Sequence, residues 1–123
     1  MGLKQHRYGY TSEVAPGDAM LHGSTFKTDY QTGTITEHAY GEGRGGAEPV
    51  FIPKADSTAE DDGWLMVLVH DITKTDGNGQ PTAEIQILDA NDLSEPAVAT
   101  VPLPQHVPVG FHGNWVPDSS VAP

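Results

Sequence analysis

The sequence predicts an all-β protein built from short antiparallel strands. Three observations carry that expectation. Glycine (14) and proline (10) interrupt the 123 residues every few positions, so no window sustains the period of an amphipathic helix. The apolar segments between them are short and rich in β-branched and aromatic residues. Clusters of turn-forming residues separate these segments, at Asp61-Asp62-Gly63, Asp76-Gly77-Asn78-Gly79 and Asn91-Asp92.

Taken in order, residues 23–30 and 34–40 flank Gln31-Thr32-Gly33 and read as a hairpin. Residues 41–46, Gly-Glu-Gly-Arg-Gly-Gly, read as a flexible loop; they lack the Lys-Ser/Thr ending and following helix of a phosphate loop. Four strands are expected next, at 50–53, 64–72, 83–88 and 97–101, forming one antiparallel sheet. Trp64-Leu65-Met66-Val67-Leu68-Val69 has no polar alternation and should be covered on both faces. In the following strand Ala83, Ile85 and Ile87 alternate with Glu84 and Gln86, which predicts one wet face. Four such strands fit one blade of a propeller, and a small β-sandwich fits the strand count nearly as well. No internal repeat in the letters decides between them. The whole of 1–123 reads as a single all-β region.

Composition removes several functions. Seventeen acidic against six basic residues give a net charge of −11, which repels phosphate backbones and anionic lipid surfaces; a nucleic-acid partner is not expected. Without cysteine there is no disulfide framework, thiolate zinc site or cysteine nucleophile. No apolar run reaches the length of a membrane span, and the N-terminus lacks a signal-peptide pattern, so a cytoplasmic location is expected. Asp76-Gly-Asn-Gly-Gln80 fails as a calcium loop, since the twelfth position is Ile87 and the sixth is Pro81; a polar hairpin turn is expected there. Glu60-Asp61-Asp62-Gly63 reads as a solvated acidic turn.

Among six histidines, His112 stands out. It lies between two glycines in Val107-Pro-Val-Gly-Phe-His-Gly-Asn-Trp115, where a backbone free of Cβ atoms lets other groups approach closely. His70-Asp71 are strand neighbours and point to opposite faces, so they should not act as a pair. Glu48 precedes the first strand of the expected sheet, and His112 follows its fourth. In successive blades of a propeller those positions both face the central channel, which would bring the two side chains together.

The ordered set Glu48-Pro-Val-Phe-Ile-Pro53, Glu60-Asp-Asp-Gly-Trp64, Ile87-Leu-Asp-Ala90 and Gly110-Phe-His-Gly113 resembles the C-terminal part of the carotenoid cleavage oxygenases. Weaker matches at Arg7-Tyr-Gly-Tyr10, Lys27-Thr-Asp29 and Thr32-Gly33 extend the resemblance over nearly the whole chain. The resemblance implies the C-terminal blades of a seven-bladed β-propeller, with a non-haem Fe(2+) held on its axis by four histidines. His112 corresponds to the last of those ligands. Glu48 corresponds to a carboxylate that hydrogen-bonds an iron-bound imidazole and fixes its orientation. The activity implied is cleavage by O2 of a conjugated carbon–carbon double bond in a carotenoid, apocarotenoid or stilbene-type substrate, giving two carbonyl products. Members of the family are several-fold longer, and their other three iron histidines lie upstream of anything present here. Gln105-His106 replaces a frequent arginine, and residues 73–82 form a longer turn. The chain alone is therefore expected to be inactive. The rival reading is a truncated, stand-alone β domain that binds a ligand or partner and catalyses nothing.

Overall fold

The computed structural model describes residues 6–14 and 22–104 of the chain. Eight strands are present: β1 (Tyr8–Val14), β2 (His22–Asp29), β3 (Ile35–His38), β4 (Arg44–Gly46), β5 (Val50–Pro53), β6 (Gly63–Thr75), β7 (Pro81–Asp89) and β8 (Ala99–Pro102). They form two antiparallel sheets. One has the order β1-β2-β3; the other runs β4-β6-β7-β8, with β5 also pairing along β6. The described residues contain no helix. The expected all-β class holds, and so does the single meander from β5 to β8.

Local chemistry explains the turns. The β2–β3 hairpin closes with the Gly33 amide on the Asp29 carbonyl at 2.7 Å, and Gly33 has a φ of 77°, which a residue with a Cβ rarely adopts. The β6–β7 hairpin is nucleated by Asp76, whose carboxylate accepts the amides of Asn78 (2.8 Å) and Gln80 (3.0 Å). That is the polar turn expected from the sequence.

The expected loop at 41–46 is half strand. Arg44, Gly45 and Gly46 pair with Asp71, His70 and Val69 of β6. The glycine content that suggests a loop serves packing instead: a Cβ on Gly46 would stand 2.6 Å from the Tyr40 ring and 2.8 Å from Val67. Arg44 anchors the strand through Asp71 (3.2 Å), Glu84 (2.7 Å) and the Tyr40 carbonyl (3.0 Å).

The core lies between the sheets. Leu65, Val67 and Val69 of β6 join Leu88, Ala90, Leu93 and Tyr40, with Tyr10, Phe51 and Ala97 packed against them. Two expectations about faces need correction. Trp64, Met66 and Leu68 are half-buried rather than fully covered, because β6 sends only its odd-numbered residues into the inter-sheet core. On β7 the wet row is not where alternation places it. Gln86 is buried, since His38 from the other sheet and Glu84 beside it satisfy its amide at 3.3 and 2.8 Å.

Candidate functional site

The first strand of the large sheet is not continuous. Gly46 pairs with Val69 and Val50 pairs with Met66, so Ala47, Glu48 and Pro49 stand opposite only Val67 and Leu68. One residue is extra. β4 and β5 are thus two halves of one edge strand, joined by a β-bulge that contains Glu48. The Ala47 amide still reaches the Leu68 carbonyl at 2.9 Å, and Pro49 has no amide to leave unsatisfied. Glu48 is exposed. In a four-stranded blade the first strand of the meander borders the central channel. At the opposite edge every residue of β8 is exposed, as on an outer rim.

His112 and His106 lie outside the described residues. Among the described histidines, His38 is structural: its ring faces the Leu93 carbonyl at 3.2 Å and the Gln86 side-chain oxygen at 3.3 Å. His70 is buried and His6 is exposed, 3.9 Å from Glu60. No group of three or more His, Cys, Asp or Glu side chains that could hold a metal occurs among the described residues. The sequence-expected carboxylate, Glu48, stands exposed on the bulged edge strand.

The acidic segment expected to be a solvated turn is a clamp between the sheets. Glu60 accepts the backbone amides of Arg7 (3.1 Å) and Tyr8 (2.7 Å) at the start of β1. These two amides hold its carboxyl below the usual range. Asp61 takes Lys27 Nζ at 2.8 Å and the Asn91 side-chain amide at 3.0 Å. Lys27 also donates to the Asn91 carbonyl at 2.8 Å and lies 4.3 Å from the centre of the Tyr8 ring. Beside it, Arg7 donates to both carboxylate oxygens of Asp29, at 3.0 and 2.8 Å, and that bond holds Asp29 far below the ordinary carboxylate range. The hollow next to this clamp, about 340 Å³, is lined by Tyr8, Lys27, Asp61, Asn91 and threonines, and is too polar for a polyene tunnel.

At Asp71, burial works against ionisation. The hydroxyl and amide of Thr73 and the nearby Arg44 outweigh it, and its pKa falls below the ordinary value.

Solved structures with this arrangement are oxygenases. A cobalt-substituted Synechocystis ACO superposes with a TM-score of 0.78 at 32% identity, covering 92% of this chain and 22% of that one. An ACO/RPE65 chimera gives the same TM-score at 29% identity. The architecture is therefore that of a carotenoid-oxygenase β-propeller, of which this chain matches a part.

Sequence relatives agree. The apocarotenoid-15,15'-oxygenase of Synechocystis is 36% identical over 114 residues, covering 91% of this chain and 22% of its own length. The carotenoid cleavage oxygenase of Mycobacterium tuberculosis is 37% identical over 117 residues, again covering 91% and 22%. The chain spans about a fifth of the length of these relatives. The profile of the RPE65 family, retinal pigment epithelial membrane protein, matches residues 1–117, and the chain belongs to this family. No helix among the described residues is long and apolar enough to cross a membrane.

Proposed function

We propose that this chain forms the C-terminal part of a non-haem Fe(2+) dioxygenase that cleaves a conjugated double bond of an apolar polyene or stilbene-type substrate. The observation that carries the reading is the bulge that places Glu48 on the first strand of the sheet, within a chain similar over 91% of its length to an apocarotenoid oxygenase. His112 would be an iron ligand. Glu48 would accept the free ring N–H of a ligand imidazole, fixing its tautomer and offsetting part of the metal's charge. Iron, when bound, supplies positions open to O2. The two halves of the edge strand on either side of Glu48 both pair with the long strand β6. The lack of cysteine suits a reducing compartment such as the cytoplasm.

Two measurements test the reading. In a complete enzyme carrying this sequence, His112→Ala should abolish activity and iron content. Glu48→Gln should lower activity about 10–100-fold, the usual loss for a partner of a metal ligand. His106→Ala should be nearly silent. Near-normal turnover and iron in His112→Ala would overturn the assignment. The 123-residue chain alone should lose iron on gel filtration; stoichiometric iron there would mean a different ligand set. A non-catalytic domain would show no effect of any of the three substitutions on iron.

A further inference from the structure

We infer that the face of the large sheet turned away from β1–β3 is a self-association surface, covered by a second copy of this chain. The strand register builds that face. Met66 lies opposite Val50 on one side and Ile87 on the other, and Ile87 lies opposite Ala99. Residues directly opposite each other share a face, so these four form one apolar row across four strands. Leu68, Ile85 and Val101 form the next row. The charged groups stand at one end. There Trp64 lies opposite Ile52 and Asp89, with Lys54 Nζ 5.3 Å from the centre of its ring.

Residues 64–69 have no polar alternation, the pattern of a strand covered on both faces. The inter-sheet core takes Leu65, Val67 and Val69. On the far face Met66 and Leu68 stay half-buried and Ala99 and Val101 are exposed, and among the described residues no strand of the small sheet packs on them. Charge selects the occupant. The chain carries −11, yet its two apolar rows hold no carboxylate, so a basic partner would find nothing there to pair with. A second copy brings the same uncharged rows, and two such sheets stack about 10 Å apart across a twofold axis. Four strands at about 4.8 Å and five residues at about 3.3 Å give a patch of roughly 320 Å2 in projection, within the size that marks interaction sites. Two copies bury roughly twice that before the rim is counted, the low end of specific interfaces, so the dimer is weak and concentration-dependent. In a longer enzyme a neighbouring sheet of the same chain would take this place; on the 123-residue chain a second copy does, whatever Glu48 and His112 do.

Sedimentation equilibrium of the 123-residue chain, from about 10 μM to about 1 mM, brackets the Kd of such a dimer. The mass should rise from 13.1 kDa toward twice that value. The rise should be steeper in about 0.5 M than in about 0.05 M NaCl, because salt screens the repulsion between two acidic chains. Val101 is 51% exposed, so Val101→Asp leaves the fold intact while placing a carboxylate on the face, twice per dimer. It should weaken association at least about tenfold at the higher salt. Ile35→Asp adds the same charge at an exposed apolar position of the small sheet and should change it by less than about twofold. Backbone amide shifts of Ile85 and Ile87 should move with concentration while those of β2 stay still. A monomer at every concentration overturns the inference, as does association that Val101→Asp leaves unchanged. Growth beyond the dimer, or shifts confined to β1–β3, would overturn it equally. A monomer whose Ile85 and Ile87 are shielded from a soluble spin label would give the face to another part of the same chain.

Discussion

On β6, the row facing the other sheet is Leu65, Val67 and Val69, all fully buried; on β2, the row facing back contains Thr25 and Lys27, also buried. One side of the core is hydrocarbon and the other offers hydroxyl, ammonium and imidazole. Thr25 bonds the Tyr40 hydroxyl at 2.6 Å, Lys27 meets Asp61, and His38 meets Gln86. Tyr10, opposite Lys27 on β1, donates to the Ala90 carbonyl at 2.9 Å. Apolar burial has no preferred direction, so it holds the sheets together without fixing how they are turned. Hydrogen bonds and ion pairs do have direction. The large sheet supplies cohesion and the small sheet supplies orientation. For a propeller this matters, because the angle between neighbouring sheets decides which side chains converge on the axis.

The largest effect should come from the apolar side. Leu65→Ala removes a fully buried side chain at the centre of β6 and should cost about 3–5 kcal/mol, read as a lower urea midpoint with little change in slope. Ile72→Ala, on an exposed position of the same strand, should change stability by less than about 0.5 kcal/mol. Equal losses at the two positions would mean that the row facing the small sheet is not the source of cohesion.

The polar side should behave differently. Asp61→Ala leaves the Lys27 ammonium in a site where its side chain is 9% exposed, and removing one partner of such a pair costs about 3 kcal/mol. Replacing both, Lys27→Met with Asp61→Leu, should recover most of that stability, since buried pairs barely repay their desolvation. The double variant should nevertheless lose orientation. Contacts between the Tyr8 and Tyr10 rings and the 60–63 segment, followed by NMR, should become averaged. A double variant as rigid as the original would show that the apolar row alone sets the angle.

Part of this contrast can be read from the letters, and part cannot. Strands β5 to β8 are legible because β-branched and aromatic runs end at Asp, Asn and Gly turns. β4 is hidden, since Gly45-Gly46 looks like a loop until Tyr40 and Val67 are seen pressing on position 46. β1 is hidden in a similar way. Tyr8-Gly9-Tyr10 is recognisable as part of a family resemblance, but its strand character depends on pairing with β2. Gln86 defeats the alternation rule because its partners, His38 and Glu84, make a buried amide inexpensive. The acidic motif at Glu60-Asp61 is visible in the sequence, yet its partners Arg7, Tyr8 and Lys27 are distant along the chain and only packing identifies them. Glu48 is legible as a residue and illegible as a geometry. The bulge exists only relative to β6, and no local pattern records a register. His112, the other half of the expected site, lies outside the described residues.

The smallest expected effect concerns Tyr40, where the two kinds of packing meet. Its ring belongs to the apolar core, and its hydroxyl bonds Thr25 of the small sheet. Burial pushes its pKa up to about 12, against a weaker downward pull from the Thr25 hydrogen bond. The unfolded chain releases the same proton near pH 10. The folded state therefore binds the proton more tightly, and the stability this contributes is complete below pH 10 and lost as pH rises toward about 12. At pH 11 the loss should be roughly 1.4 kcal/mol, about one unit of proton linkage. Denaturant titrations at pH 8 and at pH 11 give the difference. Tyr40→Phe should be less stable at pH 8, because Thr25 loses its buried partner, but its stability should fall less between the two pH values. A smaller decline will remain, because burial also raises the pKa of Tyr10. If Tyr40→Phe declined with the full original slope, the alkaline sensitivity would belong to other groups. The Tyr40 hydroxyl would then release its proton in the folded chain as readily as in the unfolded one.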